Sequence, residues 1–324
     1  MITLSRIAKE AHVSVSTASK AFSGSTEISE ETRELVFRVA KAHGCFKKFY
    51  NAKYPKLVIA VIAPEFSSMH YARYLALIQQ QMHNCELCVS TTNFSAECEK
   101  DLIDYYYKHS NADGMILIDL HPELPQAMEM PVVFLGNTNI TDALSRQSAA
   151  VYCDMSQAME DALGYLKSRG ISSVGFLGES RTTGKADLFR RKMEEFGMPV
   201  QDGQILCMEH RFEDGGYRAV EMLLQKGAPP RALICAYDYM AIGAMRCLRD
   251  RGYRIPEDVA ILGMDDLPEA RYLEPPLASI SSAPEQRCQM ATDTILRLIN
   301  GEETEKEMVI PAVIHLRRSF CVEP

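Results

Sequence analysis

Aspartates recur where apolar runs end. Asp119 closes GMILID (114–119), Asp154 follows AVYC (150–153), Asp238 follows ALICAY (232–237) and Asp265 follows VAILGM (259–264). Carboxylates at strand ends serve either acid–base chemistry or acceptance of hydrogen bonds from ligand hydroxyls. No His or Cys stands beside them at the spacing a nucleophile system needs, which favours recognition over catalysis. GESRTTGKA (178–186) resembles a phosphate-binding loop, but five residues separate its glycines and Ala186 follows the lysine. A phosphate loop needs four, and then Ser or Thr for magnesium. His83, Cys85 and Cys88 form the one metal-like cluster, yet a structural zinc site adds another Cys/His pair and only Cys98 is near. The expectation is a protein that is not an enzyme, with no cofactor and no metal.

The elements that must position these residues fall into two textures. Residues 1–56 read as three short helices: Ile7, Ala8 and Ala11 recur at helical spacing, His12–Val13 makes a tight turn, and Ser14 caps a second segment through Phe22. Ser29 caps a third, with Glu30 and Glu31 in its first turn and a stripe of Leu35, Val36, Val39 and Ala40 expected inside. From Leu57 the chain alternates eight apolar runs, starting at 57, 86, 114, 131, 150, 173, 232 and 259, with seven helical stretches. That is the texture of parallel α/β sheets. Eight or more strands exceed one comfortable doubly wound sheet, so two sheets with a cleft between them are expected, with ligands beyond the strands' carboxyl ends.

Composition bounds the partners. The 324 residues are 47% hydrophobic and 24% charged, ordinary globular values. No apolar run is long enough to span a bilayer, and MITLSRIAKEAHVSV lacks the features of a secretory signal, so a cytoplasmic protein without a membrane partner is expected. The ten cysteines, spread through apolar segments, are expected to be reduced and in the core. The net charge of −8 conceals a strong asymmetry. Residues 1–56 hold ten cations against five anions, a net of +5, while the other 25 cations and 38 anions leave −13. A basic head on an acidic body fits a chain of which one part touches phosphates.

Three stretches carry a family resemblance. TLSRIAKEAHVSVSTASKAFSGSTEISEETRELVFRVAKAHG, with its Ser14, Thr17, Ser19 core, DMSQAMEDALGYLKSRGISSVGFLG (154–178), and AYDYMAIGAMRCLRDRGYRIPEDVAILGMDDLPEARYLEPPLASI (236–280) resemble the LacI/GalR family of bacterial transcriptional regulators. The resemblance covers nearly the whole chain. It implies an α/β protein: a three-helix helix-turn-helix head at 1–56, with a hinge connector near 45–56, and a two-lobed periplasmic-binding-protein-like body at 57–324. The N-lobe would take about 57–153 and 283–309, the C-lobe about 154–282 and 310–324. The implied function is sequence-specific DNA binding, as a repressor in most members, with operator affinity set by a small polar effector. A two-lobed sensor whose head contacts a protein rather than DNA is the alternative.

By position, Val15, Ser16 and Lys20 match base-reading sites, Lys20 standing where Arg is usual and giving one contact to guanine rather than two. Thr3, Ser14, Thr17, Ser19 and Ser23 read as phosphate and capping contacts. In the connector CFKKFYNAKYP the family's helix-opening Pro and wedging Leu are absent. Tyr54 is a candidate wedge into the minor groove, and a tether contributing charge alone is the equal alternative. For the effector, the resemblance implies Asp265 as hydroxyl acceptor, with Arg181, Lys185, Arg211, Tyr237 and Asp238 beside it. Phe66, Met69 and Tyr71, after the first strand, are expected to form the opposite apolar wall, with Asp119 closing the third strand as a further effector contact, and Asp266 is expected as a structural cap. The effector is expected to be small and polar, a sugar, sugar acid or sugar phosphate, and the three cations favour one carrying an acid or phosphate. A homodimer on a roughly palindromic operator follows from two-fold symmetry.

Overall fold

A computed structural model describes residues 3–322 apart from 24, 44–55, 121, 123, 125–127, 137–143, 146, 199 and 202. Tyr54 and the connector lie outside the described residues.

The head is three helices, α1 (Leu4–Glu10), α2 (Val15–Ser23) and α3 (Glu30–Ala42). Each start is chemically marked. Thr3 accepts from the Arg6 N–H (3.4 Å), Ser14 from Thr17 (2.9 Å) and Ser29 from Thr32 (3.2 Å), satisfying donors that a helix leaves open. His12 turns the chain between α1 and α2 at φ 55°. Ile7, Ala8, Ala11, Ala18, Ala21, Phe22, Val36 and Ala40 form the core. The stripe on α3 differs from expectation: Leu35 is exposed and Phe37 instead packs inward, stacked on Phe22 at 5.5 Å. The small alanines of α1 and α2 bring the helices close, and the ring fills what they leave.

The whole chain, head included, divides into two compact units. The first comprises Met1–Tyr152 and Pro284–Val309, the second Cys153–Ala283 and Ile310–Pro324. The first contains β1 (Val58–Ala63), α4 (Met69–Gln81), β2 (Glu86–Thr91), α5 (Ala96–Lys108), β3 (Gly114–Ile118), β4 (Val132–Gly136), α10 (Pro284–Ile299) and most of β5 (Ser148–Asp154) and β11 (Glu307–Pro311). Its sheet order is β11-β5-β4-β3-β1-β2. The second contains α6 (Ser156–Ser168), β6 (Val174–Glu179), α7 (Thr183–Glu195), β7 (Ile205–Met208), α8 (Phe212–Lys226), β8 (Ala232–Cys235), α9 (Asp238–Asp250), β9 (Ala260–Met264), a 3-10 turn (Pro268–Tyr272), β10 (Ala278–Ser281) and β12 (Val313–His315). Its order is β12-β10-β9-β8-β6-β7.

Both sheets reverse winding once, between β1 and β3 and between β6 and β8, and those reversals open a crevice at the carboxyl ends of the flanking strands. β3, β4, β6, β8 and β9 are buried throughout, so they read as continuous apolar runs without alternation. β7 and β12 are half-exposed edges that the apolar pattern did not reveal.

The thiols depart from expectation. Cys153, Cys235, Cys247 and Cys288 are buried, but Cys207 and Cys321 are exposed, and Cys85, Cys88 and Cys98 half-buried. Cys207 lies on edge strand β7, whose outer face meets water. Among the described residues, no three His, Cys, Asp or Glu are grouped to hold a metal ion.

α8 and α9 pack through glycine. A Cβ on Gly216 would stand 1.9 Å from the Met240 carbonyl oxygen, and one on Gly243 1.9 Å from that of Glu213. Both obstacles are backbone, so neither yields by a rotamer change. Gly243→Ala is expected to cost about 2–3 kcal/mol or more, read as a lower urea midpoint, whereas Gly184→Ala, whose Cβ meets open space, leaves it within about 0.5 kcal/mol.

Candidate functional site

In the head, α2 buries Ala18, Ala21 and Phe22 and turns Val15 (48% exposed), Ser16 and Ser19 outward. The hydroxyls of Thr3 and Ser14 are already capping, and the Thr17 hydroxyl lies 2.8 Å from that of Ser14. Ser23 donates to the Lys20 carbonyl (3.2 Å), so its proton is used within the helix. Lys20 is half-buried, and its ammonium is hydrogen-bonded to Glu27, a partner sequence reading did not identify. The lysine therefore meets any further acceptor from an existing pair.

In the first unit, residues after β1 and β3 meet at the crevice. Phe66 and Tyr71 are half-buried, and Met69, opening α4, is 40% exposed. Asp119 follows β3 at φ 48°, a left-handed conformation that turns the chain sharply as the strand ends. His70 Nε2 lies 3.4 Å from Asp119 Oδ2, and its ring packs on Tyr71 and Tyr74. Arg287, wholly buried, donates to the Tyr74 hydroxyl at 2.6 Å. The structure thus brings His70 to Asp119 and backs it with the buried pair Tyr74 and Arg287. Their signal in the sequence was weak, because α4 and α10 are 200 residues apart and His70 carries no motif.

The second unit has a more connected site. Asp238, the first residue of α9, is wholly buried. Its Oδ2 accepts from the Leu267 N–H (2.7 Å) and its Oδ1 from the Ser279 hydroxyl (2.6 Å), which accepts from the Asp266 N–H (3.0 Å). Both oxygens are engaged internally, which corrects the expectation of an effector contact: Asp238, just after β8, ties the loop that leaves β9 to Ser279 within β10. Gly263 follows from this, since a Cβ there would stand 2.1 Å from Asp238 Oδ1. Burial, and then the nearby Asp265 charge, push the Asp238 carboxyl well above the ordinary aspartate value of 3.8.

The tied loop holds Asp265 and Asp266 at φ 97° and 47°, two successive residues where side chains are rarely found. Asp266 is structural, held within the protein. Its buried carboxylate takes Arg317 at 2.5 Å, with His315 and Arg271 at 3.6 and 3.7 Å. Asp265 is left as the carboxylate of the pair closest to Lys185, whose Nζ stands 3.9 Å away and donates to the Ala236 carbonyl at 2.7 Å.

Arg211 differs from the expected free cation. Its Nε donates to both oxygens of Glu179, at 3.3 and 3.0 Å, and Glu179 is only 3% exposed at the end of β6. The guanidinium lies 4.5 Å over the Phe212 ring. Phe212 sits at φ 55°, and its N–H donates to the Tyr237 hydroxyl at 3.0 Å. Burial pushes the Tyr237 phenol up to about 12, so it stays protonated. Arg181 is exposed at the mouth of the loop before α7. Asp154, by contrast, caps α6 by accepting from Ser156 (2.8 Å), which lowers its carboxyl below the usual range and accounts for it without a ligand.

Residues 3–45 match the bacterial regulatory proteins of the lacI family, and residues 163–320 match the periplasmic binding protein-like domain. The chain is 27% identical over 335 residues to the ribose operon repressor of Haemophilus influenzae, covering 99% of both chains. It is 25% identical over 334 residues to catabolite control protein A of Priestia megaterium, covering 98% of this chain and 99% of that one. Among solved structures, the lac repressor dimer bound to operator and the anti-inducer ONPF superposes with a TM-score of 0.70 at 19% identity, covering 99% of each chain, a likeness of fold.

The raised Asp238 carboxyl has a signed consequence. Above pH 3.8 the native state retains this proton longer than the unfolded chain does, so this residue makes stability fall as pH rises from 3.8 through its native value. Asp238→Asn lacks that contribution. Urea titrations at pH 4, 5.5 and 7 should show any advantage of the parent over the variant shrinking with pH.

Proposed function

The chain belongs to the lacI family of bacterial regulatory proteins, a transcriptional regulator with a DNA-binding helix-turn-helix and a metabolite-binding body, and we propose that α2 reads operator DNA for it. One observation supports this most: α2 is capped, packed on one face, and bare on the other, where Val15, Ser16, Ser19 and Lys20 stand together. A helix so presented enters the major groove with its N-terminal residues at base edges, while Thr3 and Ser14 lie at helix starts beside phosphates. We assign the chain repressor action in the cytoplasm, as a homodimer on a roughly palindromic operator.

The effector assignment is narrower than charge counting suggested. Glu179 balances Arg211, and Asp265 lies across from Lys185, so two of the three expected cations have an anionic neighbour. An interleaved set of donors and acceptors beside aromatic rings suits a polyhydroxylated molecule of the sugar class better than an anion. The effector then controls operator affinity through its different affinity for the operator-bound and free arrangements.

Two measurements test these assignments. In mobility-shift assays with duplexes enriched from a random pool, Lys20→Ala should lose about tenfold in discrimination, about 1–2 kcal/mol; unchanged preference would remove α2 from base reading. In a thermal-shift panel, a cognate neutral sugar at about 100 times its Kd should raise Tm by roughly 5–10 °C. Glu179→Gln should shift the panel towards sugar phosphates. A parent protein stabilised by sugar phosphates alone would overturn the neutral assignment.

A further inference from the structure

We propose that Glu27 is a specificity-determining residue, which restrains the Lys20 ammonium and so penalises binding to DNA of arbitrary sequence. The inference rests on the assignment of α2 as the DNA-facing helix. Lys20 projects from α2, and its Nζ is hydrogen-bonded to Glu27 Oε2, seven residues on, in the segment that leads to α3. That segment is itself held. The Glu27 N–H donates to the Ser25 hydroxyl (3.3 Å), and Arg33 donates to the Ser25 carbonyl (2.7 Å) while pairing with Glu30 at 3.1 Å. The side chains of Lys20 and Glu27 remain 43% and 66% exposed, so neither is sequestered. The lysine's hydrogen bond and charge hold the Glu27 carboxyl below the usual glutamate range, so it is ionised wherever DNA binding is measured near neutrality.

An ammonium is a point charge with three rotatable donors, and any phosphate on a duplex satisfies it. A base-reading position occupied by Lys therefore risks weak selectivity. A carboxylate at its side changes the balance. Moving Lys20 onto a phosphate separates the pair and leaves an anion facing the phosphate backbone. Reaching guanine O6 or N7, which are neutral acceptors in the major groove, sets no such charge against Glu27. The pair is solvent-exposed and weak by itself, so it opens for a correct base edge without a large penalty. Two other acids of the head are engaged elsewhere: Glu10 pairs with Arg6 and His43, and Glu30 with Arg33.

The test uses the full chain, a duplex it enriches from a random pool, and a scrambled duplex of equal length, titrated by fluorescence anisotropy at several salt concentrations. Glu27→Gln should tighten binding to the scrambled duplex about fivefold and to the enriched duplex about twofold or less, with the salt slope on scrambled DNA steeper by about one. Glu27→Asp, which keeps the charge, should hold the parent ratio. In a Lys20→Ala background, Glu27→Gln should leave the ratio unchanged, because its effect passes through the lysine. An unaltered ratio for Glu27→Gln, or a fall that persists without Lys20, overturns the proposal. Should Glu27→Gln melt the head, seen as lost helical circular dichroism, Glu27→Ser is read instead and must show the same fall. A pool from which nothing is enriched, with no variant binding either duplex, defeats the DNA assignment itself; binding with an unaltered ratio defeats this inference alone.

Discussion

The buried carboxylate of Asp238 is the constraint on which the second unit's site depends. A carboxyl group removed from water needs hydrogen-bond donors, and here they come from Leu267, in the loop after β9, and from Ser279, within β10. Three parallel strands that would otherwise end independently are thereby locked to one another. The lock accounts for Gly263, whose missing side chain leaves room for the carboxylate, and for the two left-handed residues that follow. Backbone in such conformations persists only where its surroundings over-determine it. Asp265 and Asp266 are over-determined by Asp238 through Leu267 and Ser279, and by Arg317 on the Asp266 carboxylate.

The same logic recurs with other groups. Tyr237 holds a left-handed Phe212 by its hydroxyl, and Glu179 holds Arg211 over the Phe212 ring. In each case a buried or half-buried polar atom gives its hydrogen bond to a neighbour's backbone or charge, and the result is a group of side chains whose orientation the fold itself fixes. Preorganisation of this kind reduces the ordering cost of binding. The head achieves its order more cheaply, with a core of alanines and one aromatic stack, and with hydroxyl caps at each helix start.

Much of this was legible from residue order. Buried parallel strands are continuous apolar runs, so β1, β3, β4, β6, β8 and β9 were visible within a residue or two, and the caps Ser14 and Ser29 follow from helix-start chemistry. The edge strand β2 was also visible, but β7, β11 and β12 were not, being short and half in water, nor was the interior strand β10, Ala-Ser-Ile-Ser, with little apolar content to distinguish it from a loop. Leu35 was misplaced because a helical stripe fixes a face only to within one residue, and Phe37 was the better match to the neighbouring alanines.

Local chemistry in the chain determined the basic head, its three capped helices, the α/β alternation and the placing of aspartates at strand ends, because each is written in nearest neighbours or in charge counts. Only the tertiary structure decided what each of those aspartates meets. Asp154, Asp238, Asp265 and Asp266 look alike in sequence, yet one caps a helix, one is sealed beneath a loop, one faces a lysine and one is clamped by arginine. It likewise decided that Arg211 and Lys20 carry acidic partners, Glu179 and Glu27. A residue's charge is a property of the chain, but its field depends on neighbours within a few ångströms, and the fold alone chooses those.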